Sequence, residues 1–237
     1  MKKTEFNYEH QGVTCCGFVA HEGNPNQPRP AVLVVHDWSG CNEFACQHAI
    51  DLSKKGYVGI AVDMYGNGKT GQTNEEKQAL MMPLLNDRNL LLGRLLAALS
   101  AAKSMPAVDA TKIAAIGFCF GGLCVLDLAR SGEDVKGVVS LHGLLNAPEQ
   151  ATDRAIKANV LVLHGYDDPM VDPQAVQTFC DEMTQKKADW QVHMYGGTVH
   201  AFTNPLAQDA KLGTVYSQTA AKRAFESMDL FLQACLQ

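Results

Sequence analysis

A chain of 237 residues with 46% hydrophobic and 19% charged residues carries enough apolar surface to fold around its own core without disulfides or metals. Its formal net charge of −5 supplies no basic footprint, which argues against a nucleic-acid partner. No apolar run follows Met1-Lys2-Lys3, and the leucine-rich stretch Leu90–Leu99 is interrupted by Gly93 and Arg94, so neither a secretory leader nor a membrane span is expected and the cytoplasm is the expected compartment.

In chain order, a hairpin is predicted around Phe6–Tyr8 and Thr14–Ala20, followed by a proline-rich surface turn over Glu22–Pro30. Short apolar, β-branched runs then predict strands at Ala31–Val35, Tyr57–Val62, Lys112–Ile116, Gly137–Leu141, Val160–Leu163 and Gln191–Tyr195. Between them the spacing predicts helices over Glu43–Lys55, Asn74–Ser104 with a break near Pro83–Asn86, Phe120–Arg130, Pro173–Lys187 and Thr214–Leu236. This alternation predicts a single α/β domain over residues 1–237, with a mostly parallel sheet, helices on both faces and an antiparallel N-terminal edge. The eight cysteines (Cys15, Cys16, Cys41, Cys46, Cys119, Cys124, Cys180 and Cys235) form no C-x-x-C pair, so neither a zinc site nor any other metal is expected.

Chemistry concentrates at Gly117-Phe118-Cys119-Phe120-Gly121-Gly122, where a predicted strand runs directly into a predicted helix. That is the nucleophile-elbow pattern of the α/β-hydrolase fold, with sulfur in place of the usual serine oxygen. The turn is tight enough to need glycines beside the nucleophile, and the helix N-terminus favours a thiolate. The Phe120 N–H is then placed to donate to an oxyanion. In this fold the acid and the histidine follow on loops after later strands. His200 fills the second place. Asp168 fills the first, with Asp167 left open as its competitor. His36, His142 and His164 end strands near the expected site; structural roles are the first reading of all three, with lining of the pocket as the other.

These residues resemble the dienelactone hydrolase family over nearly the whole chain. The cysteine elbow is joined by Val34-Val35-His36-Asp37-Trp38-Ser39-Gly40 and by the stretch from Gly56 to Gly66. The resemblance implies a Cys119, Asp168 and His200 triad that hydrolyses small esters or lactones without a cofactor. It implies a second oxyanion donor, the Trp38 N–H. It also implies that Asp37 stands where the family carries a glutamate that contacts the resting cysteine, one methylene shorter; the other reading of Asp37 is a loop residue that binds nearby backbone N–H groups. Asn204 stands where lactone-cleaving members carry a carboxylate-binding arginine, so dienelactone itself is not the expected substrate; Lys77 or Arg88 are candidates to supply a cation. Other readings of the same residues are an acyltransferase, or a non-catalytic ligand-binding or redox-sensing protein in which Cys119 is the sensor thiol. Either a monomer or a homodimer is compatible with the sequence.

Overall fold

The structure is a computed structural model and describes residues 1–149 and 154–237. Its eight principal strands belong to a mostly parallel sheet, and its contacts divide into two compact units, Met1–Ile116 and Gly117–Gln237.

In the first unit, β1 (Lys2–His10) and β2 (Val13–His21) pair antiparallel across Gln11-Gly12, whose φ angles are +50° and +74°. Two left-handed residues give a two-residue turn the twist that matches its flanking strands. Next come β3 (Arg29–Val35), α1 (Glu43–Lys54), β4 (Val58–Val62), α2 (Asn74–Asn86) and α3 (Arg88–Lys103). β2 runs antiparallel to β4, and β4 parallel to β3. Every residue of β4 and the Ala31–Val35 stretch of β3 are buried, which is why these strands read as unbroken apolar runs. The predicted Asn74–Ser104 helix is two helices. Asp87 leaves helical geometry at φ −125° and ψ 87°, and its side chain caps α3 by accepting from the Leu90 N–H at 2.9 Å. Pro83 is accommodated inside α2, so the break falls after Asn86.

β5 (Val108–Phe118) leads into the second unit, which holds α4 (Phe120–Arg130), β6 (Gly137–Leu141), β7 (Asn159–Gly165), α5 (Pro173–Gln185), β8 (Trp190–Tyr195), β9 (Gln208–Asp209), β10 (Thr214–Val215) and α6 (Gln218–Leu236). β6, β7 and β8 run parallel in that order, with Val138 opposite Val160 and Val162 opposite Val192. The helix expected from Thr214 begins only at Gln218. Thr214 and Val215 instead pair antiparallel with Asp209 and Gln208, around a turn in which Asp209 Oδ1 accepts from the Lys211 and Leu212 N–H groups, both at 3.0 Å. Ser217 then caps α6. Among the described residues no helix is long and apolar enough to cross a membrane.

One buried ion network joins two helices of this unit. Arg130, with 4% of its side chain exposed, donates from Nη2 to Glu182 Oε2 at 2.7 Å and to the Leu145 carbonyl at 2.8 Å. Nε donates to Glu182 Oε1 at 2.9 Å and Nη1 reaches Asp127 at 3.3 Å. Removing the cation leaves two carboxylates without their shared partner in a dry place. Arg130→Met is expected to cost about 3–5 kcal/mol. A thermal melt should then show a midpoint lower by roughly 6–20 °C; an unchanged midpoint would mean that the network contributes nothing.

Candidate active site

β5 ends at Phe118 and α4 starts at Phe120, leaving Cys119 alone to reverse the chain. It does so at φ +53° and ψ −113°, a conformation that costs an ordinary residue of order 1–3 kcal/mol. The surroundings hold it there. A Cβ on Gly117 would lie 2.0 Å from the Gly121 carbonyl oxygen, and one on Gly122 would lie 2.7 Å from Gly143 Cα, so only glycine lets the strand, helix and following loop come this close. Cys119 occupies the N-cap of α4 and is partly exposed, in the field of the helix N-terminus. The Phe120 N–H is the first amide of that helix.

Successive strand ends are stitched together by backbone hydrogen bonds. Cys119 N–H donates to the Leu141 carbonyl at 3.0 Å, His142 N–H to Leu163 at 2.9 Å, and Tyr166 N–H to Tyr195 at 3.0 Å. The loops after β5, β6, β7 and β8 therefore leave the sheet along one edge, its carboxyl end. Asp168 lies on the β7 loop, 3% exposed. Its Oδ1 accepts from the Met170 N–H at 2.8 Å, and its Oδ2 accepts from His200 Nδ1–H at 2.7 Å. The neighbouring Asp167 is exposed, and its backbone N–H donates to the Thr198 carbonyl at 2.9 Å, tying the two loops together.

His200 is held at its backbone as well. Its N–H donates to the Gly213 carbonyl at 3.0 Å, and its carbonyl accepts from the Val215 N–H at 3.1 Å. This is the work of the β9–β10 hairpin. With Nδ1 committed to Asp168, Nε2 is buried without a well-formed hydrogen bond. Its interaction is with the Cys119 sulfur. Burial opposes a charged imidazole, but the Cys119 charge, then the hydrogen bonds of Asp168 and Cys119 and the Asp168 charge, outweigh it and raise the His200 pKa to about 10. Cys119 on one side and Asp168 on the other thus both favour the protonated imidazole.

His142 backs this arrangement. It sits at φ +40°, its Nε2 lies 2.8 Å from Thr203 Oγ1, and its ring meets His200 edge-on with centroids 5.2 Å apart. His164 is wholly buried and donates from Nε2 to the Val171 carbonyl at 3.1 Å, holding the far end of the Asp168 loop.

Within the first unit, both ring nitrogens of His36 are spent on backbone. Nδ1–H donates to the Asp37 carbonyl, and Nε2 accepts from the Met64 N–H at 3.1 Å. Burial is the main cause that lowers its pKa, which suits a neutral ring. Asp37 Oδ1 accepts from the Ser39 N–H at 2.8 Å, an Asx turn that shapes the loop after β3. The Trp38 carbonyl accepts from Tyr65 Oη at 2.9 Å, and its ring lies under the Lys77 ammonium, 5.4 Å from the centroid. In the second unit, Asn204 Oδ1 accepts from the Leu206 N–H at 2.9 Å, also a local turn bond. Among the described residues no group of three or more His, Cys, Asp or Glu side chains is disposed to hold a metal ion.

The sequence model described as the Dienelactone hydrolase family matches residues 17–236. The chain belongs to the dienelactone hydrolase family. A solved dienelactone hydrolase-like promiscuous phosphotriesterase from metagenomic libraries superposes with a TM-score of 0.94 at 33% identity, covering 100% of this chain and 99% of that one. An uncharacterized Caenorhabditis elegans protein is 39% identical over 154 residues, 63% of this chain and 98% of its own length. A Bradyrhizobium protein named as a probable 2-oxo-3-(5-oxofuran-2-ylidene)propanoate lactonase is 29% identical over 214 residues, 86% of this chain and 83% of its own. This dienelactone hydrolase family member has the α/β-hydrolase fold and is a hydrolase.

Some residues that hold these loops in place carry no sequence signal of their own. Asp63 ends β4 and accepts from the N–H groups of Cys16, Tyr65, Gly66 and Gly68, all between 2.9 and 3.0 Å, fixing the whole β4 loop. Thr203, Gly213 and Val215 likewise act through His142 and His200, and only their position in space identifies them.

Proposed function

We propose that this chain hydrolyses a small ester, lactone or thioester through an acyl-cysteine intermediate, with Cys119 as nucleophile, His200 as proton carrier and Asp168 as its orienter. The observation that carries the reading is the Asp168–His200 bond at 2.7 Å, together with Cys119 as the leading cause of the raised His200 pKa. The resting site then holds its proton on His200, beside the Cys119 sulfur. The Cys119 sulfur attacks the substrate carbonyl carbon, and the carbonyl electron pair moves to oxygen, where the Phe120 N–H receives it. Collapse expels the leaving alkoxide or thiolate, which takes the proton from His200 Nε2.

Acylation removes the negative charge from Cys119. The main influence that kept His200 protonated is then gone, burial favours the neutral ring, and His200 becomes a base just when water must be activated. Water gives its proton to Nε2 and adds to the thioester; collapse releases the acid and restores the thiolate. No cofactor enters the cycle. Asp37 is assigned to shaping the Trp38 loop through Ser39. The family match extends through both compact units, which supports reading residues 1–237 as one functional domain.

The test is steady-state hydrolysis of a panel of short-chain nitrophenyl esters, lactones and thioesters, with a phosphotriester added because one relative bears that activity in its name. Turnover of at least one carboxylic substrate is expected, and failure on all of them would sink the reading. Acid formation that gives way to transfer when an alcohol or thiol acceptor is added would instead point to an acyltransferase. In the same panel, Asn204→Arg is expected to shift preference toward carboxylate-bearing lactones by about 10-fold, since a guanidinium pairs a carboxylate where an amide offers no charge. An unchanged preference would mean that position 204 does not face substrate.

A further inference from the structure

Two further thiols meet at the start of α1, with no part in the mechanism above. Asn42 is the N-cap of this helix; its side chain accepts from the Phe44 N–H at 3.0 Å, and its carbonyl accepts from the Cys46 N–H at 3.1 Å. Cys41 therefore holds the position before the cap and Cys46 the fourth helical position. Side chains at these two positions meet across a capped helix start, usually as a purely apolar staple. Here both are cysteines, near enough for each thiol to shift the other's ionisation. Cys46, more than burial, pushes the Cys41 thiol up, and Cys41 pulls Cys46 below the usual thiol value against burial and the nearby Glu43. Both residues are half-buried, open enough for a small oxidant.

We propose that Cys41 and Cys46 are a redox pair that closes into a reversible disulfide across the first turn of α1, with hydrogen peroxide as oxidant and a dithiol as reductant. The Cys46 thiolate attacks one peroxide oxygen, the O–O bond breaks, and Cys46 sulfenic acid and hydroxide form. The Cys41 sulfur, giving up its proton, then attacks the Cys46 sulfur and expels its oxygen as water. The hydroxide takes up the remaining proton. In sum, two thiols lose two electrons and two protons, and one peroxide becomes two waters. The cap already orders the residues between them and sets their side chains on the same side of the helix start. Oxidation exchanges a contact that thermal motion can open for a covalent clasp on the segment that follows Trp38.

The test uses the intact chain. It is titrated with hydrogen peroxide until thiols begin to be lost, blocked with N-ethylmaleimide, and digested with chymotrypsin, which cuts after Phe44 and so separates the two cysteines. The expected product is a pair of peptides joined through Cys41 and Cys46, two hydrogens lighter than the free pair, free of maleimide and released by dithiothreitol. Cys46→Ser should abolish the link, and Cys41→Ser should leave Cys46 as a sulfenic acid that dimedone traps. Maleimide on both Cys41 and Cys46 while Cys119 is already oxidised would overturn the proposal. So would a link from either one to Cys15 or Cys16. The mapping on the unmutated chain decides the matter even if a variant folds poorly.

Discussion

Replacing Cys119 by alanine is expected to lower kcat/KM for a short-chain nitrophenyl ester by about 10³-fold or more, with circular dichroism and melting temperature nearly unchanged. The side chain removed is small and partly exposed, so folding has little stake in it, whereas the proposed chemistry has no other nucleophile. Adding His200→Ala should cost little beyond the single change, because a base without its nucleophile has nothing to deprotonate for the acyl step. Asp168→Asn is the sharper companion. Oδ2 of Asp168 fixes the proton on His200 Nδ1 and turns Nε2 toward the sulfur. An amide in its place can hold the wrong tautomer at nearly the same geometry, for a loss of about 10⁴-fold in kcat. A Cys119→Ala protein that keeps its activity would remove the acyl-cysteine mechanism outright.

The second large effect is a titration. His200 should keep its proton as pH rises through neutrality and lose it only near pH 10, well above an ordinary histidine at about 6.5. Alkylating Cys119 with iodoacetamide converts the sulfur to a neutral thioether. The largest raising influence disappears, and burial, which lowers the pKa, is left opposed by Asp168 alone. The midpoint followed by NMR at the His200 ring proton should therefore fall on alkylation, by at least about one unit, toward or below the ordinary histidine value. A midpoint that does not move would mean that Cys119 carries no charge next to His200, and the proton shuttle between the two steps would lose its cause.

The site could be read from the sequence where local chain chemistry dictates it. Gly117, Cys119 and Gly121 mark the elbow because a strand that turns into a helix in one residue leaves room for nothing larger, and the 2.0 Å approach at Gly117 is the physical form of that constraint. Central strands such as Gly137–Leu141 were equally legible, being apolar on both faces. β5 extends to Val108 beyond the apolar run at Lys112–Ile116, because Asp109, Ala110 and Thr111 are partly or fully exposed and break the apolar pattern. Pro169 and Val171 favour Asp168 over Asp167 in the sequence; in the structure burial and the bond to His200 separate the two carboxylates. Nor does a Thr-Val pair ahead of a long helix announce a two-residue strand. Thr214 and Val215 follow the helical pattern well enough, and they leave it because pairing with Gln208 and Asp209 satisfies their backbone while anchoring His200.

The resemblance-derived residues divide differently. Trp38 and Asp37 lie on a loop whose shape comes from Ser39, Tyr65 and His36, partners scattered through the first unit. Asn204 spends its side-chain oxygen on its own turn. Position in a motif pointed to these residues, but what each side chain bonds is set by neighbours that no spacing rule contains.

The most direct measurement is intact-protein mass spectrometry after rapid mixing with a nitrophenyl acetate and an acid quench, followed by peptide mapping. The mechanism predicts a transient acetyl adduct on Cys119 that forms with the burst of nitrophenol, decays as acid appears, and is absent in Cys119→Ala. Turnover without any adduct at Cys119, or with the adduct on another residue, would contradict it.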